Sequence, residues 1–597
     1  MPSLKRKAPA APRCIFIGLD FGTTHSGLAW AVSADDITVI SDWSSHDIYN
    51  NDKKKAPSTL LYNGDANEAP LWGYSIPSHE VPLKWFKLLL LDDEDIPDHI
   101  LQSDHVQQAR RLMQRSNRHA CHLVGDYIKQ LWNFGMSEIE RAIGRSQLSV
   151  TPFDLTVTIP AIWPLYARNR MQQAIKHAGI MKHHPSTRLS FVSEPEAAAV
   201  AAMHDFCGRA DIKKNDNFVV CDAGGGTVDI ISYKCHRESP MQLQESVKGD
   251  GKLCGAIFLD ERFRDLIQQR IPPATQRRMG RDGMQQFITQ AWEQGIKIQT
   301  RSDVAGVDVP FPWGTAAEED VKCSKMTFSK DDIGEIYRPV VAEVVGLVVD
   351  QITQVKKKAR KDPKYVILVG GFGMSRILYE NLQRAMATGK FKTEVLQSGG
   401  EKPWTAVCRG AVLRGMNKVQ SNPWATIDAR VARASFGTTV NIVPWTMGEH
   451  DVRDREWCAL EGEFLAVNQV QWFIEMGETL AVNAPVSKAF WQDLEAADNV
   501  VETEIVTSMQ TPPPYRHDIS VTRLCLIRWS RVPEFDHLPL YTNEEGRVIR
   551  QIPYQIKMVP NGISLDFEIF FEGVMVASKN VSVETNNDDD ADNADDD

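Results

Sequence analysis

The sequence lacks several features that would assign it to a protein class at once. Its ten cysteines include no Cys-x-x-Cys pair, so they indicate reduced thiols and not a zinc ribbon or a disulfide scaffold. No apolar run approaches the roughly 18 residues of a membrane-spanning helix, and the N-terminal MPSLKRKAPAAPR has no apolar stretch of the secretory-signal kind. We therefore expect a cytosolic protein, with a nuclear one as the alternative suggested by Lys5-Arg6-Lys7.

A broad basic surface is also missing. The formal net charge is -11, but seven aspartates lie in the final DDDADNADDD, so the rest of the chain is close to neutral. This excludes a nucleic-acid binder that works through an extended basic face. We expect a disordered basic tail over residues 1–13 and a disordered acidic tail over residues 587–597, because neither has enough apolar surface to bury.

Residues 14–420 alternate short apolar strands with longer helical segments, which predicts an α/β architecture with covered sheets. The predicted strands are Cys14–Leu19, Leu28–Val32, Asp154–Ile159, Asn217–Cys221, Val228–Tyr233 and Tyr365–Val369. The predicted helices are Asp104–Trp132, Tyr166–Ala178, Glu194–Phe206, Leu259–Ile271, Lys330–Arg360 and Ser375–Ala387. From residue 421 to 586 short alternating strands predominate, as in Ile563–Ile569, so we expect a β-rich C-terminal domain.

An approximate internal repeat lies within the α/β region. Ile15–Trp30 and Phe218–Tyr233 each contain an apolar strand, an aspartate, a Gly/Thr turn and a second apolar strand. The repeat predicts two similar lobes, about residues 14–212 and 213–400, followed by a returning helix.

The two turns have a composition suited to binding phosphate. They read Asp20-Phe21-Gly22-Thr23-Thr24 and Asp222-Ala223-Gly224-Gly225-Gly226-Thr227. Glycine permits positive φ and a close approach of backbone N–H groups to an anion, and two aspartates facing each other over a polyphosphate suit Mg²⁺. Either turn alone is equally consistent with a tight hairpin. The phosphate-loop pattern G-x-x-x-x-G-K-[ST] and the dinucleotide pattern G-x-G-x-x-G are absent, so the repeat favours a clamp made of two turns.

Two further motifs accompany these turns, Ser-Glu-Pro-Glu-Ala-Ala-Ala at Ser193–Ala199 and Val369-Gly370-Gly371. The four motifs, in this order and spacing, resemble the 70-kDa heat-shock protein (DnaK) family, over about residues 14–420. That family shares the two-lobed actin-like ATPase fold, with duplicated ribonuclease-H-like lobes, with actin and the sugar kinases. The resemblance implies that ATP or ADP and Mg²⁺ bind in the cleft between the lobes.

The resemblance also implies roles for individual residues. The first phosphate turn would contain Asp20, Gly22, Thr23 and Thr24. The second would contain Gly224, Gly225, Gly226 and Thr227, with Asp229 behind it. Asp20 and Asp222 would serve the metal, and the catalytic set would be Lys87, Glu194, Asp222 and Thr227. The nucleoside would contact Gly370 and Gly371, with Glu293 and Lys297 on the adenosine segment.

Several residues have a plainer interpretation or depart from the family. Lys84 is an alternative to Lys87, and Glu194 is also an ordinary acid at a helix start. The adenosine segment contains an extra residue before Lys297 and no following arginine. Arg376 is displaced within its turn, and Trp404 stands where the family has an aspartate.

These features favour a slow, Mg²⁺-dependent ATP-hydrolysing protein of chaperone type. Since no helix pair follows residue 500, we expect it to lack the helical lid of the family. By resemblance, its partners would be an unfolded polypeptide or protein client on the β-rich domain, together with co-chaperones; neither nucleic acid nor a membrane is expected. The alternatives are a nucleotide-binding scaffold without turnover and a small-molecule kinase of the same fold.

Overall fold

The computed structural model divides the chain into two compact units, Met1–Thr426 and Ile427–Asp597. It describes residues 14–46, 53–62, 69–77, 80–206, 211–297, 306–311, 325–419, 425–482, 484–494, 501–529, 534–543, 545–561 and 564–581. Both predicted tails, including Lys5-Arg6-Lys7, lie outside the described residues. The division falls six residues beyond the predicted boundary at 420.

The first sheet of the N-terminal unit is built around Ile15–Asp20. Its strands run in the spatial order Thr38–Val39, His25–Ala31, Ile15–Asp20, Phe153–Ile159 and Arg188–Ser193, and Ala56–Pro57 pairs with His25–Ala31. Ile15–Asp20 is antiparallel to His25–Ala31 and parallel to Phe153–Ile159. The accompanying helices are Asp98–Leu101, Asp104–Ser116, Ala120–Ile143, Arg145–Leu148, Leu165–His177, Ile180–His183 and Glu194–Phe206. Single 3-10 turns lie at Gly73–Ser75, Phe86–Leu90 and Asp93–Asp95, and Leu60–Leu61 pairs with Leu71–Trp72.

The second sheet repeats this plan. Its strands in this unit run in the order Glu394–Gln397, Tyr365–Val369, Asn217–Ala223, Val228–Glu238 and Met241–Glu245, and Asp250–Lys252 pairs with Val228–Glu238. The helices are Ile257–Arg270, Pro273–Ile288, Lys330–Ala359, Arg376–Thr388 and Lys402–Val419, with a π-helical segment at Thr289–Ile296 and a 3-10 turn at Phe372–Met374. Gly306–Pro310 and Lys325–Ser329 form a separate hairpin.

Apolar packing holds these layers together. The core of the second sheet joins Val219 and Leu368 to Phe263 on one helix and Val344 on another, all buried. The last helix, Lys402–Val419, returns to the first sheet, where Cys408 and Val412 pack against Phe16 and Ala29. It also packs on Glu194–Phe206, and a Cβ added to Gly410 would lie 1.8 Å from the Ala197 carbonyl oxygen. Only glycine permits this approach of the two helices.

The predicted elements are recovered with one correction. Residues 104–132 form two helices, Asp104–Ser116 and Ala120–Ile143, and not one. The break occurs at Asn117, whose φ of 49° is left-handed, a conformation that asparagine adopts more readily than most residues and that ends helices. The other predicted strands and helices lie within a few residues of the observed ones, except that Val228–Glu238 extends five residues beyond Tyr233.

The C-terminal unit consists of antiparallel strands. One sheet has the order Arg455–Cys458, Glu463–Ile474, Ser435–Ile442, Glu502–Ser508 and Val521–Arg528. The other has the order Val486–Leu494, Val548–Asn561, Ser564–Phe571 and Val574–Val581, with Leu540–Thr542 paired to Val548–Asn561. Ala425–Val431 pairs with Thr479–Ala481. Ile505 and Ile527 share a buried core with Ile556 and Phe567 of the other sheet. Its described residues contain two 3-10 turns, Val452–Asp454 and Phe535–His537, and no α-helix.

Two chain-wide features complete the description. Among the described residues, no helix has the length and apolarity needed to traverse a bilayer. None of the eight described cysteines forms a disulfide; they are Cys14, Cys121, Cys221, Cys235, Cys254, Cys408, Cys458 and Cys525.

Candidate functional site

The two glycine turns touch each other. A Cβ added to Gly225 would lie 2.2 Å from Thr24 Oγ1, and one added to Gly226 would lie 2.5 Å from Thr23 Oγ1. Real Cβ contacts are never this short, so the absence of side chains on the second turn is what lets the threonines of the first approach it. The structure therefore brings together the two turns, some 200 residues apart, that the sequence predicts as a clamp.

The turn glycines act through this close approach and not through positive φ. Gly22, Gly224, Gly225 and Gly226 all lie outside the left-handed region, so the positive φ that glycine permits is not used in either turn. A Cβ on Gly22 would lie 2.3 Å from the His25 carbonyl oxygen of its own turn. Gly22 is needed because the backbone of its turn folds too tightly for a side chain at this position.

Lys87 and Glu194 form a buried ion pair beside the first turn. Lys87 Nζ lies 2.8 Å from Glu194 Oε1, and the lysine is only 2% exposed. Its ammonium also lies over the rings of Phe21 and Trp163, at 5.7 and 5.2 Å from their centroids. Lys84, the alternative, is half-buried. Glu194 is the first residue of the helix Glu194–Phe206 and is therefore held at a defined helix start.

Three further carboxyl groups lie near this pair. Strand pairing places Asp222 opposite Asp229 at the end of the second hairpin, and Asp20 ends the first strand of the other sheet. Burial, with the nearby charges of Glu194, Asp229 and Asp20, raises the pKa of Asp222 well above its usual range. Burial also raises the pKa of Glu194, because desolvation and the charges of Asp20 and Asp229 outweigh the Lys87 ammonium.

Asp229 has a different environment from Asp222. Its Oδ1 accepts hydrogen bonds from the backbone N–H of Ala161, at 3.0 Å, and of Ile162, at 3.4 Å. The nearby Thr227 hydroxyl acts to lower the pKa of the same carboxylate. Burial still raises the pKa of Asp229, although these donors oppose the shift. Asp229 is thus held by backbone N–H groups, and it lies near Thr227 at the end of the second turn.

The residues at this site fit a divalent cation. The Asp222 carboxylate accepts no hydrogen bond from any described residue, although it is only 5% exposed. Four carboxyl groups, Asp20, Asp222, Asp229 and Glu194, lie near two ammonium groups, Lys55 and Lys87, so the site would carry an excess of negative charge whenever all four are ionised. Within the described parts of the chain no three potential ligands converge on one point. Mg²⁺ itself needs only one or two carboxylates and keeps several waters, so Asp20 and Asp222 would be enough to hold it.

Lys55 is a site residue that the sequence analysis missed. Its Nζ lies 2.5 Å from Asp20 Oδ2, and both side chains are buried. In the sequence it is the last of three consecutive lysines, Lys53-Lys54-Lys55, which is a pattern typical of a solvated loop. The one available signal is that Ala56 and Pro57 follow it, since they form the short strand that pairs with His25 and Ser26.

The predicted nucleoside-contact glycines lie beside the second turn. Gly370 has a φ of 86°, and a Cβ there would lie 2.5 Å from Asp222 Oδ1. Its N–H donates to the Pro403 carbonyl at 2.8 Å. A Cβ on Gly371 would lie 3.2 Å from the Trp404 ring. Trp404, which stands where the family has an aspartate, therefore packs against this glycine turn. Arg376 instead pairs with Glu380 on its own helix, at 3.4 Å.

The adenosine segment accommodates its extra residue in a π-helix, Thr289–Ile296. A π-helix forms i→i+5 hydrogen bonds, so each of its turns holds more residues than a turn of α-helix. Lys297 Nζ lies 2.6 Å from Asp260 Oδ1, which also accepts from Trp292 Nε1 at 2.6 Å. Among the described residues, no hydrogen bond or ion pair joins Glu293 or Lys297 to either turn. The Lys297 charge, after burial, lowers the pKa of His25, so this ammonium faces the start of the strand that follows the first turn.

Comparisons with known proteins agree with these motifs. A family model described as Hsp70 protein matches residues 140–420, and one described as a domain of unknown function (DUF8568) matches residues 430–582. The chain is 22% identical to human heat shock 70 kDa protein 12A over 564 residues, covering 76% of this chain and 77% of that protein. Human heat shock 70 kDa protein 12B is 22% identical over 556 residues, covering 76% of each.

A second group of relatives matches a shorter region. Chaperone protein DnaK of Thermoplasma volcanium is 26% identical over 262 residues, covering 44% of this chain and 39% of the relative. The first turn and Lys87 precede the region matched by the Hsp70 model, so their part in the site depends on the geometry described above. With the Hsp70 match over the second turn, the Glu194 motif and the Gly370 turn, the chain is a divergent member of the 70-kDa heat-shock protein family.

Proposed function

We propose that this protein binds ATP between the two glycine turns, with Mg²⁺, and hydrolyses it slowly as a chaperone-type ATPase. The observation that carries this proposal is the contact between the turns, with Gly225 and Gly226 against Thr24 and Thr23. Two such turns, each following a buried aspartate, offer backbone N–H and hydroxyl donors to a polyphosphate from both sides. An anion bound there would meet Lys87 and Lys55 in the same buried region.

Binding in this proposal is shared between the turns. Thr23, Thr24 and Gly22 would donate to the phosphates from the first turn, and Gly224, Gly225 and Gly226 from the second. Asp20 and Asp222 would hold the metal. Gly370 and Gly371 would pack against the nucleoside, and Glu293 and Lys297 would reach its base. We expect the base contact from Lys297 to be weaker than the one the family motif provides, because the Lys297 ammonium already forms a salt bridge with Asp260.

Catalysis in this proposal depends on position and charge. When bound, Mg²⁺ would neutralise charge on the phosphates. The Lys87 ammonium would stabilise negative charge on the transferred phosphoryl group, while the Glu194 carboxylate would accept a hydrogen bond from the attacking water. Thr227, beside Asp229, would donate its single hydroxyl proton to a phosphate oxygen at the turn. Lys87 and Glu194 are held 2.8 Å apart and nearly dry, which supports their acting on the same reacting group.

The wider role follows from the family. We propose that the two sheets of the N-terminal unit belong to two lobes that close on nucleotide, and that the β-rich unit receives an unfolded polypeptide or another protein client. Co-chaperone partners and a cytosolic location, with the nucleus as alternative, are part of the same proposal. The absence of an α-helix among the described residues of the C-terminal unit supports a member without a helical lid.

The test is single-turnover hydrolysis of radiolabelled ATP by the full chain, with excess Mg²⁺ and with EDTA. We expect slow phosphate release that requires Mg²⁺ and that Asp222→Asn abolishes, because this change removes one charge while keeping the shape. Asp216→Asn is the matched control: Asp216 lies just before the same strand, at its other end, where it pairs with Lys361 at 2.9 Å. The control should lose stability and keep its turnover.

A nucleotide-binding scaffold without turnover is the second candidate. The changed adenosine segment favours it. ATP that protects the protein against thermal unfolding without phosphate release would establish the scaffold. No protection and no release, at any Mg²⁺ concentration, would contradict both candidates.

A further inference from the structure

The buried lysine Lys55, which pairs with Asp20 at the end of the first strand, distinguishes this site. Lys55 is 6% exposed and Asp20 is 4% exposed, and their charged groups lie 2.5 Å apart. The Lys55 charge also acts on Asp222 of the second turn. One ammonium therefore pairs with Asp20 and acts electrostatically on Asp222, the two aspartates that the proposed function assigns to Mg²⁺.

The surrounding backbone holds Lys55 in this position. The strand Ala56–Pro57 pairs with His25 and Ser26 directly after the first turn. Ser58 then donates its N–H to the Thr24 carbonyl at 2.8 Å and its hydroxyl to the Gly22 carbonyl at 2.6 Å. The lysine is thus carried on a segment that is hydrogen-bonded to the phosphate turn itself.

The neighbouring strand leaves room for the lysine side chain. A Cβ added to Gly27 would lie 3.1 Å from Lys55 Cγ and 3.2 Å from Lys55 Cε, which is tighter than most real contacts. The stem of the lysine therefore lies across a strand position that has no side chain. Both the hydrogen bonds of the segment and this gap orient the ammonium toward Asp20.

A purely structural role does not account well for such a pair. Removing two charges from water costs about as much as their attraction returns, so a buried ion pair is weak evidence of stabilisation. A fixed cation is useful, however, where a polyanion must bind among carboxylates. Without Lys55, Lys87 would be the one remaining cation, among the described residues named at this site, to offset the carboxyl groups of Asp20, Asp222, Asp229 and Glu194.

We propose that Lys55 is a phosphate-binding residue whose ammonium shares with Mg²⁺ the task of neutralising nucleotide charge between the turns. The inference rests on the proposed function. It means that the protein binds nucleotide when Mg²⁺ is absent, because one cation of the site is built into the chain. Phosphate oxygens of ADP or ATP would meet this ammonium on the side facing Asp222.

The test is a calorimetric titration of the full chain with ADP and with ATP, in excess Mg²⁺ and in EDTA. In the wild type we expect affinity to fall by no more than about tenfold in EDTA, the equivalent of one unit in log Kd. In Lys55→Met we expect a fall of about a hundredfold or more, since both cations are then missing. Lys54→Met is the matched control, because Lys54 is adjacent and contacts Ser41 Oγ at 3.4 Å; it should behave as the wild type.

The outcomes separate this inference from the proposed function. Wild-type binding in Mg²⁺ that falls by about a hundredfold or more in EDTA would overturn the role of Lys55 and leave nucleotide binding intact. Equal Mg²⁺ dependence in the wild type and Lys55→Met would overturn it as well. No wild-type binding under either condition would overturn both. Thermal unfolding of ligand-free Lys55→Met reports whether this variant folds. If it does not fold, the wild-type titrations in Mg²⁺ and in EDTA still test the role of Lys55.

Discussion

The contact between the two turns gives a sharp prediction for Gly225→Ala. The new Cβ would meet Thr24 at three atoms, Oγ1 at 2.2 Å, Cγ2 at 2.8 Å and Cβ at 3.0 Å. A rotation of Thr24 can move its oxygen and methyl group, but its Cβ is fixed by the backbone. The turns must therefore separate by several tenths of an ångström. The second turn cannot easily move away from Thr24, because the Gly255 backbone is packed against its other side. A Cβ on Gly255 would lie only 2.4 Å from the Gly225 carbonyl oxygen.

Overpacking of this kind usually costs about 1–3 kcal/mol. If the whole cost falls on the state that binds nucleotide, ATP affinity should drop by about five- to a hundredfold. Gly224→Ala is the matched control, since its Cβ would have one neighbour, the Thr227 carbonyl oxygen at 3.1 Å. None of these glycines has positive φ, so alanine adds no backbone strain at either position.

The assay is urea unfolding together with ATP titration for Gly225→Ala, Gly224→Ala and the double variant Thr24→Ala/Gly225→Ala. Thr24→Ala removes the two closest atoms, so the double variant should recover part of the stability that Gly225→Ala loses, a non-additive effect typical of residues in contact. Equal stability and affinity for Gly225→Ala and Gly224→Ala would refute the contact, as would strict additivity in the double variant.

Three further predictions concern the ion pairs. Lys87→Met should abolish phosphate release while nucleotide binding persists, and Lys84→Met should retain wild-type release in single turnover; equal loss in both would contradict the assignment. Burial raises the pKa of Glu194 to about 7, so the unfolded chain releases this proton at lower pH than the folded protein does. Stability of the ligand-free protein should therefore fall as pH rises from the ordinary carboxyl range through about 7, and Glu194→Gln should flatten the fall by up to about 1.4 kcal/mol per pH unit in urea unfolding. An unchanged slope would contradict the prediction. Arg409 donates to both Asp205 carboxylate oxygens, at 3.0 and 2.7 Å, so Arg409→Met should cost about 3–5 kcal/mol in urea unfolding. The exposed Arg376→Met should cost less than about 1 kcal/mol, and a similar cost for both would contradict the argument.

The strands beside the two turns could be predicted because their patterns are local. Apolar runs end at Asp20 and close to Asp222, and the structure ends these strands at Asp20 and Ala223. The same local reasoning failed at Asn117, where the helical pattern continues through a residue with left-handed φ. Periodicity records which side chains are apolar, but it does not record where the backbone turns.

The electrostatics of the site could be predicted only in part. The resemblance supplied Lys87 and Glu194, and the structure holds them 2.8 Å apart. Lys55 escaped prediction because its burial depends on Gly27 and Asp20, which are distant in sequence, and three consecutive lysines indicate a solvated loop. The extra residue before Lys297 could be counted in the sequence. The sequence pattern alone did not predict that the helix takes up this residue by forming a π-helix.

The returning helix Lys402–Val419 has a consequence for how the chain is made. Arg414 pairs with Glu196, which is 218 positions earlier, and Cys408 and Val412 cover Phe16 and Ala29 near the start of the unit. Contacts so distant in sequence form late, and synthesis proceeds from the N-terminus. A ribosome that has completed the first sheet must therefore translate about as much chain again before that sheet is covered. During this interval its apolar face is open to aggregation, and a protein truncated before residue 402 would retain that exposed face permanently.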